Sequence, residues 1–218
     1  TDIDGDNLIY SIDTDALNGT VSINGSIATY TPNADFNGSD SFTFSVNDSE
    51  LSDTASVNVS IEPINDAPVL ATISDVSFDE DTSQSITISA IDIDSNELTY
   101  SISDGNDINA SLNNNEITFS ALDDYNGNET FTITVFDGEL IDTQDITVTV
   151  NAVNDAPLAA TGLSGLTDED QSVVITLSGT DIDGDNLIYS IDTDALNGTV
   201  SINGSIATYT PNADFNGS

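Results

Sequence analysis

Thirty-nine consecutive residues occur twice in this chain, letter for letter: Thr1–Ser39 returns as Thr180–Ser218. A shared fold constrains core positions and turns but leaves surface residues free. Identity at every position therefore marks a duplicated unit of a tandem array. A shorter period lies inside it. Asn65-Asp66-Ala67-Pro68 recurs 89 residues later as Asn154-Asp155-Ala156-Pro157, and related acidic motifs open at Asp2, Asp92 and Asp181. Residues 65–153 are thus expected to form one complete module. It lies between the later part of a preceding module, 1–64, and the earlier part of a following one, 154–218. Function is to be sought in an array rather than in a single pocket.

Within each module the apolar period is two. Ile86, Ile88 and Ala90 alternate with Ser and Thr, as do Phe131, Ile133 and Val135, then Ile146, Val148 and Val150. The first module repeats the pattern at Phe42, Phe44, Val46 and at Val57, Val59, Ile61. Each run reads as a strand with one face inward and a hydroxyl-rich face in water. Asn24-Gly25, between Val21–Ile23 and Ile27–Tyr30, is a hairpin signal, and Asn203-Gly204 repeats it. Over the central module the pattern predicts strands near 69–73, 84–91, 97–103, 108–112, 116–120, 129–136 and 144–152. Seven short strands separated by turns indicate an all-β, two-sheet sandwich. Tyr10, Tyr30, Phe36, Phe42 and Phe44 are expected in the core.

Composition narrows the function. Lys, Arg and His are absent, and 39 Asp and Glu give a net charge of −39. Nucleic acid is excluded as a partner, because binding a phosphate backbone needs cations that displace counterions. Anionic membrane surfaces are excluded on the same ground. The natural partner for this charge is a cation. With no Cys, the modules must be held by core burial or metal rather than by disulfides. Without His, Cys or Lys there is no ordinary proton shuttle, thiolate or Schiff-base former, and the conspicuous carboxylate pairs recur in each module as structural sites do. The chain is expected not to be an enzyme. It carries no apolar run of membrane-spanning length, no leader and no initiator Met, as expected of a piece from the interior of a longer protein.

Three acidic motifs recur at matched positions. The first is Asp2-Ile3-Asp4-Gly5-Asp6, repeated at Asp181-Ile182-Asp183-Gly184-Asp185 and varied as Asp92-Ile93-Asp94-Ser95-Asn96. Alternate carboxylates leaving a strand point the same way. Two of them about 4 Å apart repel by roughly 1 kcal/mol in water and about 4 kcal/mol at an effective dielectric of 20. A hard divalent cation with oxygen ligands relieves that repulsion, and calcium accepts six to eight oxygens in irregular geometry. Asp and Gly also simply make good turns, so this motif by itself leaves both readings open. The second motif, Asp79-Glu80-Asp81, is matched by Asp168-Glu169-Asp170; the third is the linker pair Asn65-Asp66, matched by Asn154-Asp155. Their mutual spacing is the same in both modules, which favours calcium over inert acidic decoration.

The order of these motifs resembles the tandem cadherin-like domains of very large bacterial surface and repeats-in-toxin adhesins. The resemblance is carried by Asp-x-Asp followed by Leu-x-Tyr-Ser-Ile (Asp2 to Ile12, Asp92 to Ile102, Asp181 to Ile191), by Phe-Thr-x-x-Val-x-Asp (Phe42 to Asp48, Phe131 to Asp137), and by the terminal Asn-Asp-Ala-Pro. It covers essentially the whole chain. It implies seven-stranded Greek-key sandwiches set end to end, with calcium held at each joint. At the first joint the family pattern carries over to Asp35 and Asn37 from the preceding module, Asn65 and Asp66 in the linker, and Asp92, Asp94 and Asp137 from the module after. At the second it carries over to Glu80, Asp124, Asn126, Asn154, Asp155, Asp181 and Asp183. Each joint here has fewer carboxylates than animal cadherins carry, which implies one or two ions rather than three. The resemblance further implies an extracellular, cell-surface or secreted extender or adhesion segment whose partners are calcium and its own neighbouring modules. Surface glycans or other cells would be gripped by domains elsewhere. The alternative is a polysaccharide- or cell-binding sandwich in which calcium is only structural.

Overall fold

A computed structural model describes residues 5–218; Asp2 and Asp4 of the first acidic motif lie outside the described residues. Five strands form the first module: β1 (Ile9–Thr14), β2 (Gly19–Asn24), β3 (Ile27–Pro32), β4 (Gly38–Asn47) and β5 (Ser52–Ile61). The central module holds β6 (Val69–Leu70), β7 (Val76–Asp79), β8 (Ser83–Thr87), β9 (Ala90–Ile91) and β10 (Thr99–Ile102). It continues with β11 (Ile108–Asn113), β12 (Glu116–Ala121), β13 (Gly127–Phe136) and β14 (Ile141–Asn151). The third has β15 (Leu158–Ala159), β16 (Val173–Thr176), β17 (Gly179–Thr180), β18 (Gly198–Asn203) and β19 (Ile206–Pro211). The chain is all-β, in three tandem sandwich repeats.

The central sandwich stacks a four-stranded sheet, β10-β13-β14-β7, on a three-stranded one, β11-β12-β8. Period-two alternation sends Phe131, Ile133 and Val135 of β13 inward with Val148 of β14, all fully buried, while the intervening threonines face outward. Ile117 and Phe119 of β12 meet them from the other sheet. The rings of Phe119 and Phe131 stand edge to face with centroids 5.3 Å apart, a favoured aromatic arrangement.

The opening segment departs from the sequence expectation of one strand over 69–73 followed by another over 84–91. The first shrinks to β6 (Val69–Leu70), paired antiparallel with β9; the chain then crosses to a strand not expected from the sequence, β7, which pairs parallel with β14. The second is split into β8 and β9. Side chains of β14 hold the crossing. The Gln144 amide accepts from Ile73 N at 3.2 Å and donates to Ile73 O at 2.5 Å, and Asp142 accepts from Leu70 N at 2.9 Å. These bonds stand in for ladder bonds that the backbone gives up where it changes sheets.

The flanking modules show complementary portions of the same sandwich. The first presents the sheet β1-β4-β5 and the hairpin β2-β3. The third presents β16-β19-β18 and the short pair β15-β17. Phe42 is buried, but Tyr10, Tyr30, Phe36 and Phe44, expected in the core, are only partly covered. Identical sequence takes different structure here. Ile9–Thr14 is strand β1, laddered to β4, whereas the same six residues at 188–193 form no strand. Among the described residues nothing equivalent to β4 lies beside them, so the partner rather than the local sequence decides the strand.

Candidate metal centre

Three turns and one linker converge at the second joint. The chain leaves β7 in a tight turn in which Thr82 N and Oγ1 both donate to Asp79 O, at 3.3 and 2.5 Å. Asp81 adopts the left-handed conformation there, φ 59°, which Asp tolerates better than most residues. The turn sends Glu80 inward: it is 3 % exposed, and its carboxylate accepts from Val153 N at 2.5 Å. In the turn after β12, Asp124 is also left-handed, φ 56°, and its N–H donates to Asp81 Oδ1 at 3.3 Å.

From the linker, Asn154 donates its side-chain N–H to Asp155 O at 2.9 Å, and Asp155 N donates to Asp183 Oδ2 at 2.7 Å. Asp181 Oδ1 accepts from Asp185 N at 3.0 Å, which shapes the loop carrying Asp183. Two groups of three carboxylates result, each offering oxygens within 4.8 Å of one another: Glu80, Asp155 and Asp183, and Asp81, Asp124 and Asp155. Asp155 belongs to both. The groups draw on both sides of the joint and on the linker between.

Asp81 is the member that sequence reasoning passed over. The resemblance carried only the Glu of Asp79-Glu80-Asp81, yet the same acid stands at Asp170, also left-handed. That recurrence was the available signal. Asn126 is exposed and makes no contact with either carboxylate group among the contacts described.

No cation of the chain balances these acids. Burial, followed by the charges of Asp81, Asp123, Glu80 and Asp183, raises the Asp124 carboxyl above its ordinary 3.8. Burial and then Asp124, Asp183, Asp81 and Glu80 raise Asp155 likewise. An acid whose folded-state value is raised binds its proton more tightly in the folded protein, so its contribution favours folding at low pH and is lost as pH rises through the folded value. Asp40, Asp48 and Asp137 are shifted the other way. Burial opposes ionisation of Asp40, but N–H donors of Asn18 and Ser41, the Tyr30 hydroxyl and Leu17 N outweigh it. The N–H groups of Leu51 and Glu50 lower Asp48, and those of Leu140 and Glu139, then the Asn65 amide, lower Asp137. Their stabilising contribution is present above the ordinary carboxyl value and is lost as pH falls below it. In chelator, the second joint is therefore expected to be stabilised as pH descends from neutral toward 3.8. The first module and first joint lose the contributions of Asp40, Asp48 and Asp137 as pH falls below it, so the melting temperature rises and then falls. Differential scanning calorimetry across that range checks this. A melting temperature that falls throughout the descent contradicts it.

The first joint repeats the linker geometry. Asn65 donates to Asp66 O at 3.1 Å and to Asp137 Oδ2 at 2.8 Å, and Asp66 N donates to Asp94 Oδ2 at 2.8 Å. Asp92 Oδ1 accepts from Asp94 N and Ser95 N, both at 2.7 Å. Its other oxygen, Oδ2, is buried with no hydrogen-bond partner. A buried carboxylate oxygen left unpaired is costly, and a bound cation would satisfy it. Asp35 is left-handed and exposed; among the described residues it joins no three-carboxylate group, and neither do the first joint's other acids. The donors at both joints are carboxylate and amide oxygens, which suit calcium or magnesium rather than a soft metal.

The sequence profile of the bacterial Ig domain family matches residues 1–60, 65–150 and 154–218. Among solved structures, the chain resembles protocadherin gamma B2 extracellular cadherin domains 1–5, at 20% identity and a TM-score of 0.62, over 95% of this chain and 47% of that one. It also resembles PcdhgB3 EC1-4, at 16% identity and a TM-score of 0.56, over 95% of this chain and 58% of that one. The chain thus spans about half the length of these cadherin ectodomains, and identity this low speaks to the fold alone. An endo-fucoidan hydrolase of glycoside hydrolase family 107 aligns over 34% of its own length with a TM-score of 0.33, too low to bear on this chain. No curated protein sequence matches.

Proposed function

The chain belongs to the bacterial Ig domain family, and on that premise we propose that it is a calcium-stiffened extender segment of a bacterial surface or secreted protein. Bacterial Ig-like domains typically occur on such proteins, as non-catalytic repeat modules. The observation that carries the reading is the sharing of Asp155 between two carboxylate groups that span the second joint, in a chain without a single Lys, Arg or His. Glu80, Asp81 and Asp124 of the central module, Asp155 of the linker and Asp183 of the third would hold calcium there. Asp181 supports the loop that bears Asp183, and Asn154 the linker that bears Asp155. At the first joint Asn65, Asp66, Asp92, Asp94 and Asp137 would serve, with Asp35 as the preceding module's contribution by the family pattern.

The role is mechanical. Calcium bound at such a site supplies positive charge that neutralises clustered carboxylates. Without it, like charges on the two sides of a joint repel, and the short linker opens. With it, the modules are held in line and the array reaches outward. Strands of ten residues at about 3.3 Å rise make each module roughly 30 Å long. Extracellular sites of this chemistry bind calcium with dissociation constants of about 0.1–1 mM, so outside a cell they fill and in cytosol they do not. Small-angle scattering with and without chelator tests the reading. The expected result is a longer maximum dimension and a higher melting temperature in calcium; identical dimensions and identical melting would overturn it.

A further inference from the structure

One face of the central module carries an apolar row that the fold does not require. Phe136, the last residue of β13, pairs with Ile141, the first of β14. Leu70 N donates to Asp142 Oδ2 at 2.9 Å, across the same 72-residue offset by which Val76 pairs with Val148. β6 therefore stands beside β14 with Val69 next to Ile141, and Val69 pairs in turn with Ile91 of β9. The inward side chains of β13 and β14 include Val135 and Ile146, so alternation turns Phe136 and Ile141 outward. All four are open to solvent: Phe136 is 39% exposed, Ile141 and Val69 57%, and Ile91 76%. Four neighbouring strands thus present one apolar band.

The neighbouring modules show that the sandwich does without this band. In the first module Asn47 and Ser52 take the places of Phe136 and Ile141, in the same register at the same hairpin. The turn there is built by the same bonds. Asp48 Oδ1 accepts from Glu50 N at 2.8 Å and Leu51 N at 2.7 Å, as Asp137 Oδ1 does from Glu139 N at 2.6 Å and Leu140 N at 2.7 Å. In the third module Leu158 pairs with Thr180 where Val69 pairs with Ile91. Single exposed apolar residues are ordinary on a protein surface, whereas a contiguous band bordered by charge is the mark of an interaction surface. The border here is acidic. Glu139 stands in the turn between Phe136 and Ile141, Asp145 lies on the same face of β14 as Ile141, and Glu97 precedes Thr99, the partner of Phe136 in β10; all three are exposed. The chain has no Lys or Arg to meet them.

We propose that this face docks a basic, apolar segment of another protein, its apolar side chains on Phe136, Ile141, Val69 and Ile91 and its Lys or Arg side chains toward Glu97, Glu139 and Asp145. Charge complementarity selects this occupant. A second copy of the chain would bring 39 more acids and no cation, and like charges set against each other across a contact are costly. An anionic membrane surface is repelled for the same reason. Burial of the band supplies affinity, and the acidic border speeds encounter with a basic partner and fixes its register. The surface rests on the sandwich and not on calcium, so failure of the stiffening at the joints would leave it standing.

The test is fluorescence anisotropy of a labelled, strand-length peptide of alternating leucine and lysine, titrated with the 218-residue chain in calcium and physiological salt. A second peptide, with serine in place of leucine, reports attraction to charge alone. The wild-type chain is expected to bind the leucine peptide about tenfold more tightly than the serine peptide. Phe136→Asn combined with Ile141→Ser installs the first module's own residues at this hairpin. It is expected to weaken the leucine peptide by about tenfold and to leave the serine peptide unchanged. Ile91→Thr, the residue the third module has there, gives a second reading, with an expected loss of about threefold for the leucine peptide alone. Equal binding of the two peptides by the wild-type chain, or leucine-peptide binding that neither variant weakens, leaves only general attraction to negative charge and overturns the proposal. Self-association in sedimentation that these substitutions abolish assigns the face to a second copy, and overturns it as well.

Discussion

Asp155→Asn is expected to weaken calcium binding at the second joint by about 100-fold and, in chelator, to raise that joint's melting temperature. The two effects have opposite signs because one carboxylate serves both states. Loss of even an outer partner of a metal site typically costs roughly 10- to 100-fold in affinity. Asp155 stands in both carboxylate groups, so its removal belongs at the upper end. Without an ion, the same carboxylate sits partly buried among Asp124, Asp183, Asp81 and Glu80, which disfavour its charge. Asn removes that charge and keeps the backbone N–H that donates to Asp183. Isothermal titration and calorimetry read the two effects separately. Unchanged affinity removes Asp155 from the site, and a lowered melting temperature in chelator contradicts the repulsion.

The strands of the central module were legible wherever alternation ran long. Phe131, Ile133 and Val135, or Ile146, Val148 and Val150, leave no ambiguity about which face is inward, and β11 and β12 flank a turn at Asn114 and Asn115. The opening segment was not legible for a specific reason. Val76 and Phe78 offer only two inward positions, too few for a periodic signal. β7 owes its place to parallel pairing with β14, some 70 residues away, and to the Gln144 amide that anchors the crossing before it. Residues 188–193 make the same point from the other side: a strand-forming sequence without its partner stays unpaired.

The acidic site was legible as a pattern of spacings and less so as geometry. Glu80, Asp124, Asp155 and Asp183 converge, and Asn65, Asp66, Asp94 and Asp137 meet in pairwise hydrogen bonds. Asp81 escaped although it stands in a recurring motif, because the resemblance carried over only the Glu of that motif, and it is the left-handed turn that brings Asp81 to Asp124. The unpaired oxygen of Asp92 could not have been read from sequence at all, since burial of one oxygen and bonding of the other is a matter of packing. The joints also differ in a way that their matched spacings conceal. Three carboxylates gather only at the second among the described residues, which makes it the stronger candidate and the better place for mutagenesis.

Phe131→Ala is expected to be the most damaging single change to the central module, with a loss of about 3–5 kcal/mol. Its ring is fully buried and packs edge to face on Phe119 across the two sheets. It also lies so near Gly105 that a Cβ there would meet its Cζ at 2.7 Å, so the ring fills its site up to that backbone and its removal leaves a cavity. Against a domain stability of about 5–15 kcal/mol, that loss lowers the melting temperature by roughly 15–30 °C for a module of this size. Phe42, the matching residue of β4, provides the control. It is buried too, but it lies outside the central module's core cluster. Phe42→Ala is therefore expected to leave the central module's own transition in place, because distant sites without shared partners act independently. Calorimetry in saturating calcium separates the two. If Phe42→Ala shifts the central transition as far as Phe131→Ala does, the modules fold as one unit rather than as beads on a stiffened rod, and the mechanical reading of the joints has to be rebuilt around a shared core.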